Sequence, residues 1–428
     1  MGDIKRTTKY SNSSQGNINS TPGKNKRSLT KGLKVQKKGK SIAIAPGKVA
    51  EELKLDDLAP NNGPLMPMAV QYSQQTIEWS SKIKPSGKRS SKTEQTIMTL
   101  LKHLATAYQY MNNYKCTEAI KLFKQLSKNQ YNTGWTLTHI AKALFESIRY
   151  SEAEKAYREA FAMEPYRLEG IEYYSTCLWH LRKQVDLCTL ANKALTISVF
   201  SPETWCAVGN AFSLQKEHET ALKFFGRAIQ LNPRFAYAHT LSGHEYVANE
   251  DFENAKRCYQ DAMSCDERHY NAFWGMGNVY LRQEKYEQAI QYFKSAININ
   301  SRSSVLYTYL GMTYFHNQQP KEALDSFAIA EKMDPNNPLN KYQKATVLIS
   351  LDKLQEALNV LEDLHVRVPK EAPIHVLMGK IYKRLGNKEK ALTHFNKAID
   401  LNPKEINLVK SLIDRLERDV DMLDDNDL

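Results

Sequence analysis

Small and aromatic positions recur along this chain with a fixed step of 34 residues. Gly209, Gly243, Gly277, Gly311 and Gly379 stand on that step, and Ala345 fills the one gap. Ala221, Ala255, Ala289, Ala323, Ala357 and Ala391 form a second column, and Pro233, Pro335, Pro369 and Pro403 a third. With the small residue numbered as position 8, units begin at 100, 134, 168, 202, 236, 270, 304, 338 and 372. Position 11 is then Tyr, Phe or Leu throughout, and position 24 is aromatic in most units, as in Phe123, Tyr157, Phe225, Tyr259, Phe293, Phe327 and Phe395. Positions 4, 8 and 11 share one face of a first helix, because residues three and four apart lie on the same side. Positions 20, 24 and 27 do the same on a second helix. Small residues at 8 and 20 let the two helices approach, the aromatic at 24 fills the remaining space, and the proline at 32 ends the second helix.

This is the pattern of the tetratricopeptide repeat, whose W-x-x-L-G, A-x-x-x-F and P landmarks recur at this period. Trp205 to Gly209 carries the first of them. The expected fold is all-α: a tetratricopeptide-repeat superhelix of nine helix pairs over residues 96–418, closed by an amphipathic capping helix at 406–418. The unit at 168 departs most, with Leu187, Ala191 and Val199 at its landmarks, and predicts an irregular loop or bend. Residues 1–95 are rich in Ser, Asn, Gly, Lys and Pro and show no period; they read as a disordered basic tail. Residues 419–428 read as a disordered acidic tail.

Charge follows this division. The formal net charge is +12, yet residues 1–50 alone hold twelve Lys or Arg against one acid, Asp3. The basic character therefore belongs to the tail, and the repeats are close to neutral. The last ten residues carry five Asp and no base. The six cysteines contain no CxxC pair and read as reduced thiols of an intracellular protein. No apolar run approaches the ~18 residues that span a bilayer, and the N-terminus lacks the apolar segment of a secretory signal.

Motifs for chemistry are missing. HExxH, CxxC…CxxC and GxSxG do not occur, and the histidines show no metal-ligand spacing. Gly39-Lys40-Ser41 ends like a phosphate loop, but Lys34 stands where that loop needs glycine and no strand precedes it. His244-Glu245 reads better as a polar groove side than as an acid/base pair. The expectation is a non-enzyme without cofactor or metal.

The binding surface follows from phase. Positions 2, 5, 9 and 12 cluster about 120° from the 4, 8, 11 face, so in a superhelix they line the concave side. For four central units this stripe holds Glu203, Cys206, Asn210 and Ser213; Tyr237, Thr240, His244 and Val247; Asn271, Trp274, Asn278 and Leu281; Val305, Thr308, Met312 and Phe315. Asn amides suit a peptide backbone. Trp274, Tyr237 and Phe315 offer apolar pockets, and Glu203 or Glu245 a partner for a basic side chain.

Beyond the repeat itself, residues 201–215, 237–245 and 268–277 resemble the C-terminal array of subunit 3 of the anaphase-promoting complex, or cyclosome. Tyr131-Asn132-Thr133-Gly134-Trp135 and Tyr173 to Leu181, strings the repeat does not dictate, strengthen that likeness. The resemblance covers about residues 97–415. It implies a non-catalytic scaffold of a ubiquitin ligase that takes the Ile-Arg C-terminal tails of co-activators and works with the other subunits of the complex. On the matching positions Asn271 is the expected principal polar contact, then Trp274, Asn278, Tyr237 and His244, with Glu203 and Glu245 for the arginine. No small-molecule, specific nucleic-acid or membrane partner is expected, and the location implied is the nucleus and cytoplasm. Members of the family usually carry a further N-terminal repeat block that makes a homodimer; only a basic segment precedes the repeats here, which leaves dimerisation open. That segment reads as a nuclear import signal, a nonspecific phosphate binder or a solvated linker, with Thr21 before Pro22 as a candidate phosphorylation site. The alternative is a generic adaptor for another peptide. A co-chaperone clamp for acidic tails would need Lys or Arg on the stripe, and the four central units have none.

Overall fold

In the computed structural model, residues 91–401 and 406–424 are described. Residues 1–90, with most of the basic tail and Thr21, and residues 402–405 and 425–428 lie outside the described residues. The described residues form twenty helices and no strand. After α1 (Lys92–Asn112), α2 (Cys116–Lys124) and the single turn α3 (Lys128–Tyr131), the chain runs as antiparallel pairs: α4 (Gly134–Glu146) with α5 (Tyr150–Met163), α6 (Ile171–His180) with α7 (Gln184–Ile197), and α8 (Pro202–Leu214) with α9 (His218–Leu231). There follow α10 (Ala236–Ala248) with α11 (Phe252–Cys265), α12 (Tyr270–Arg282) with α13 (Tyr286–Ile299), and α14 (Ser304–His316) with α15 (Pro320–Met333). The last are α16 (Pro338–Ser350) with α17 (Leu354–Arg367), α18 (Ala372–Arg384) with α19 (Lys388–Asp400), and the single α20 (Ile406–Asp424). The all-α superhelix of nine pairs is as the period predicts.

Each pair turns in the same way. Tyr114, Ile148, Arg182, Lys216, Glu250, Glu284, Gln318, Asp352 and Gly386 all have positive φ, and all stand at position 15. The next N–H reaches back to the carbonyl at position 11, as in Lys115 to Tyr110 (2.8 Å) and Asn387 to Tyr382 (2.9 Å). These bonds close the first helix of each pair as a left-handed cap and satisfy carbonyls that its end would leave free. The column is chemically mixed, with glycine only in the ninth unit, so the turn is imposed by packing on both sides of it.

That packing rests on position 8. A Cβ added to Gly311 would lie 2.7 Å from Phe327, and one on Gly277 2.8 Å from Phe293. The rings at Phe225, Phe293, Phe327 and Phe395 are fully buried, as are the alanines at position 20. Bare backbone therefore receives the flat face of the ring. The third unit solves the problem differently: Ser175 replaces glycine, Leu187 fills the alanine site and Ala191 takes the place of the ring, all buried. Bulk is exchanged between facing positions, so volume is kept. Here α6 begins three residues late, after Gly170 at φ 92°, which is the expected irregularity.

Two limits differ from expectation. The first helix starts at Lys92, not 96, because Ser91 and Glu94 close a capping box around its free N–H groups. The final helix runs to Asp424, beyond the predicted 418. Its Val409 and Leu416 are buried with Phe395 and Ala398, so α20 covers the open side of the last pair.

A contact of long range joins the start of the array to its middle. Arg268 donates to the Asn112 carbonyl (2.7 Å), and Tyr114 O–H to the Arg268 carbonyl (3.1 Å). The rings of Tyr114 and Tyr270 meet edge to face at 5.2 Å, and Arg302 pairs with Glu118 at 2.9 Å. The superhelix thus curves far enough for its first hairpin to touch the loops before α12 and α14. These contacts are mainly polar and partly exposed, and each such ion pair contributes about 0–1 kcal/mol.

Gly277→Ala is expected to destabilise the fold by about 1–3 kcal/mol through overpacking. Gly226→Ala, on α9 with no atom in the way, should instead add roughly 0.5–1 kcal/mol of helix propensity; urea unfolding compares the two. Replacing Arg268 and Arg302 by Ala should lower hydrogen-exchange protection in residues 92–124 and leave residues 320–400 unchanged.

Candidate peptide-binding groove

The concave face is built by the first helices of the pairs. On α12, Asn271 and Asn278 are half-buried, and their side chains make no hydrogen bond among the described residues. Trp274 lies between them. Its ring meets His244 of α10 at 5.7 Å and Tyr309 of α14 at 5.2 Å, and its Nε1 is buried without a partner. Tyr259 of α11 fixes His244 through a hydrogen bond between its hydroxyl and Nδ1 at 2.7 Å. Gly275 makes room for this, since a Cβ there would strike the Tyr259 ring. Burial pushes His244 down to about 4, and the neighbouring His269 and His180 add to this, so the imidazole is neutral at physiological pH. His269 is likewise pushed down to about 4 by burial, and its Nε2 has no partner. Trp274 and His244 are thus in contact, and Asn271 and Asn278 stand on the same helix as Trp274, three residues before it and four after.

Other expected groove residues are committed elsewhere. Asn210 is buried and donates to Ser175 (2.8 Å) and Thr176 (3.0 Å) of the preceding unit. Tyr237, also buried, donates to the same Thr176 Oγ1 at 2.7 Å and packs on Tyr173 at 4.8 Å. Thr240 is buried and bonded to its own helix at the Ala236 carbonyl. Asn210 and Tyr237 thus meet on Thr176 of α6, one and two units before them, whereas Thr240 is held within its own helix. Glu245 is a clearer correction. One oxygen accepts from Ser213 (2.7 Å) and the other pairs with His218 (2.7 Å), so it is not open to an arginine. It stands at position 10, one residue off the groove stripe. Glu203 is half-buried and accepts a hydrogen bond from Ser201.

The opposing wall comes from the units at 134 and 168. Tyr270 donates its hydroxyl to Glu146 Oε2 at 2.7 Å, across 124 residues of sequence. Tyr150 and His180 stack at 4.4 Å, Phe145 meets Tyr173 at 5.6 Å, and Lys142 Nζ lies 4.4 Å above the Tyr173 ring. Burial raises the Glu146 carboxyl above its usual range, and the Tyr270 hydroxyl and Lys142 partly offset this. Lys142 is held up by Tyr173 and then by Glu146 and Glu172, against the cost of burial. Lys142 occupies position 9 and Glu146 position 13 of their unit. The stripe read on the central units, extended to the earlier ones, reaches Lys142; the curvature brings Glu146 of the same helix against Tyr270 of α12.

Among the described residues no group of three or more His, Cys, Asp or Glu is arranged to hold a metal, and no helix is long and apolar enough to cross a membrane. All six cysteines are free.

Models of the tetratricopeptide-repeat family match residues 133–163, 202–235, 240–304 and 372–405. With nine stacked helix pairs of 34 residues, the chain is a tetratricopeptide-repeat protein. Its curated homologues are subunit 3 proteins of the anaphase-promoting complex and their cell division cycle protein 27 counterparts. It is 48% identical over 314 residues to cell division cycle protein 27 homolog A of Arabidopsis thaliana, covering 73% of this chain and 44% of that protein. It is 45% identical over 326 residues to anaphase-promoting complex subunit 3 of Dictyostelium discoideum (76% and 34%), and 35% over 339 residues to that of Schizosaccharomyces pombe (78% and 51%). The chain spans between about a third and a half of the length of these relatives. The crystal structure of the APC/C hetero-tetramer Cut9-Hcn1 shares its fold, with a TM-score of 0.59 at 16% identity over 70% of this chain and 58% of that one.

Glu172 supplies a test of the packing between units. It is buried, with one oxygen accepting from Gly170 N–H at 3.1 Å. Burial pushes it up to about 7, aided by Glu203 and opposed by its own backbone bond and Lys142. The folded chain therefore holds a proton that the unfolded chain has released between the ordinary carboxylate range and pH 7, and stability falls as pH rises through that window. Glu172→Gln should leave the melting temperature nearly unchanged at pH 4.5 and raise it at pH 8, by roughly 1–3 kcal/mol of stability.

Proposed function

We propose that this chain is a non-catalytic scaffold of an anaphase-promoting complex, and that its groove takes the Ile-Arg C-terminal tails of co-activators. The observation that carries the first part is the 45–48% identity with subunit 3 and cell division cycle protein 27 proteins over three quarters of the chain. On this reading its partners are the other subunits of the ligase, and its role is to hold co-activators during cell-cycle-dependent ubiquitination of mitotic regulators.

The groove chemistry supports the second part. A tail needs partners for its backbone, and Asn271 and Asn278 supply amides with no internal bond. It needs an apolar contact for isoleucine, and Trp274 against Tyr309 presents one. The buried, unpartnered Nε1 of Trp274 is a donor whose isolation carries a penalty of about 1–3 kcal/mol, which an incoming carbonyl would relieve.

Fluorescence anisotropy with the full chain and a labelled peptide ending in Ile-Arg tests this reading. Saturable binding is expected, weakened about tenfold by Asn271→Ala and abolished when the last two residues are exchanged for Gly-Ser. Equal binding of the Gly-Ser peptide would refute tail recognition. Failure of the tagged native protein to co-purify with other ligase subunits would refute the scaffold role.

A further inference from the structure

A stack of helix pairs has two open ends, and each shows an apolar face unless a further element covers it. At the C-terminal end α20 does this, with Val409 and Leu416 buried against Phe395 and Ala398. At the other end no helix precedes α1 among the described residues, and its outer face stays bare. Ile97, Met98, Leu101 and Tyr108 are 51%, 65%, 53% and 43% exposed, and Ala105 among them is exposed as well. Met98, Leu101, Ala105 and Tyr108 follow one another at three, four and three residues, with Ile97 at their flank, so they make one stripe along α1. Ala107 and Met111, to one side of it, are buried. Scattered apolar residues on a surface are ordinary, but a contiguous patch of large ones marks a docking face.

We propose that residues 68–83 of the same chain fold as a helix and lie antiparallel along this stripe, closing the first unit as α20 closes the last. Within the tail that composition assigns to disorder, these residues depart from their surroundings. Met68, Tyr72, Trp79 and Ile83 follow at four, seven and four residues, the spacing of one helical face, with Ala69 and Thr76 beside them. Gln71, Ser73, Gln74, Glu78 and Ser81 take the remaining sides, where Val70 and Ile77 are the apolar exceptions. Pro67 stands where such a helix would begin. At about 1.5 Å per residue the Met68–Ile83 stripe is about 22 Å long and the Ile97–Tyr108 stripe about 16 Å, so the first can cover the second. Tyr72 and Trp79 would bury much area for little lost freedom. Residues 84–91 join the two stripes, a length usual between antiparallel helices, and Pro85 and Gly87 suit the reversal. This short tether makes docking intramolecular, which favours the segment over a separate molecule.

The proposal does not depend on what the groove binds. Hydrogen exchange of the full chain tests it. Residues 68–83 should be protected in the parent protein, and Leu101→Asp should speed their exchange about tenfold. Trp79→Asp, which changes no residue of the array, should speed exchange in residues 94–106 by a similar factor and leave residues 320–400 as they were. Trp79 is also the one tryptophan outside the described residues, so the emission lost in Trp79→Phe reports its surroundings. That difference spectrum should be blue-shifted, and red-shifted again when Leu101→Asp is added. Melting temperature and circular dichroism report whether Leu101→Asp keeps the fold, and Trp79→Asp carries the test if it does not. Unprotected residues 68–83 in the parent protein would overturn the proposal. Protection that Leu101→Asp leaves intact would place the segment elsewhere and overturn it too. A dimer seen by light scattering and dissolved by Leu101→Asp, with residues 68–83 unprotected, would give the face to a second copy instead.

Discussion

The structure depends on the fit of one side chain into the backbone opposite it. In most units the residue at position 24 is an aromatic ring, and position 8 of the facing helix is glycine, so the ring lies on bare main chain. That contact sets how closely the two helices approach. Close-packed interiors transmit such a constraint, because neighbours have no void into which to relax. The distance within a pair then governs the angle at which the next pair stacks, and nine repetitions turn that angle into a superhelix. The third unit keeps the volume with Ser175, Leu187 and Ala191 but shortens its first helix.

Curvature divides the inner polar stripe into two kinds of residue. Around α6, α8 and α10 it closes the stripe upon itself: Thr176 accepts from Asn210 and Tyr237, and Ser213 links Trp179 to Glu245. Buried polar groups that find partners in this way rigidify the array. Around α12 the same positions stay unsatisfied. Here the histidines are neutral because burial disfavours their charged form, and Trp274 Nε1 keeps a donor without an acceptor. The two regions differ in what their polar atoms have left to give.

Much of this was legible in the chain. The columns of glycine, alanine and aromatic residues name the helix pairs, their ends at Pro233 or Pro335, and the weakness of the third unit, because helix packing has a fixed period and a core position has few acceptable side chains. The same period sets Asn271, Trp274 and Asn278 along one face of α12. Other features had no such signal. The position-15 turn is occupied by residues as unlike as Ile148, Lys216 and Asp352, and its left-handed backbone follows from the helices it joins. The extra turn at Lys92 depended on the pairing of Ser91 with Glu94.

The sequence by itself determined the repeat, its phase and which face of each helix looks inward, since these follow from local periodicity and side-chain size. Only the tertiary structure decided which inward residues remain open. Glu245 is taken by Ser213 and His218, Asn210 by Ser175 and Thr176, and Glu146 is carried to Tyr270 from 124 residues away. Those pairings arise from the small rotation between successive pairs, accumulated along the array. A single unit does not encode that sum, so the opposing wall of the groove becomes visible only when the superhelix has closed around it.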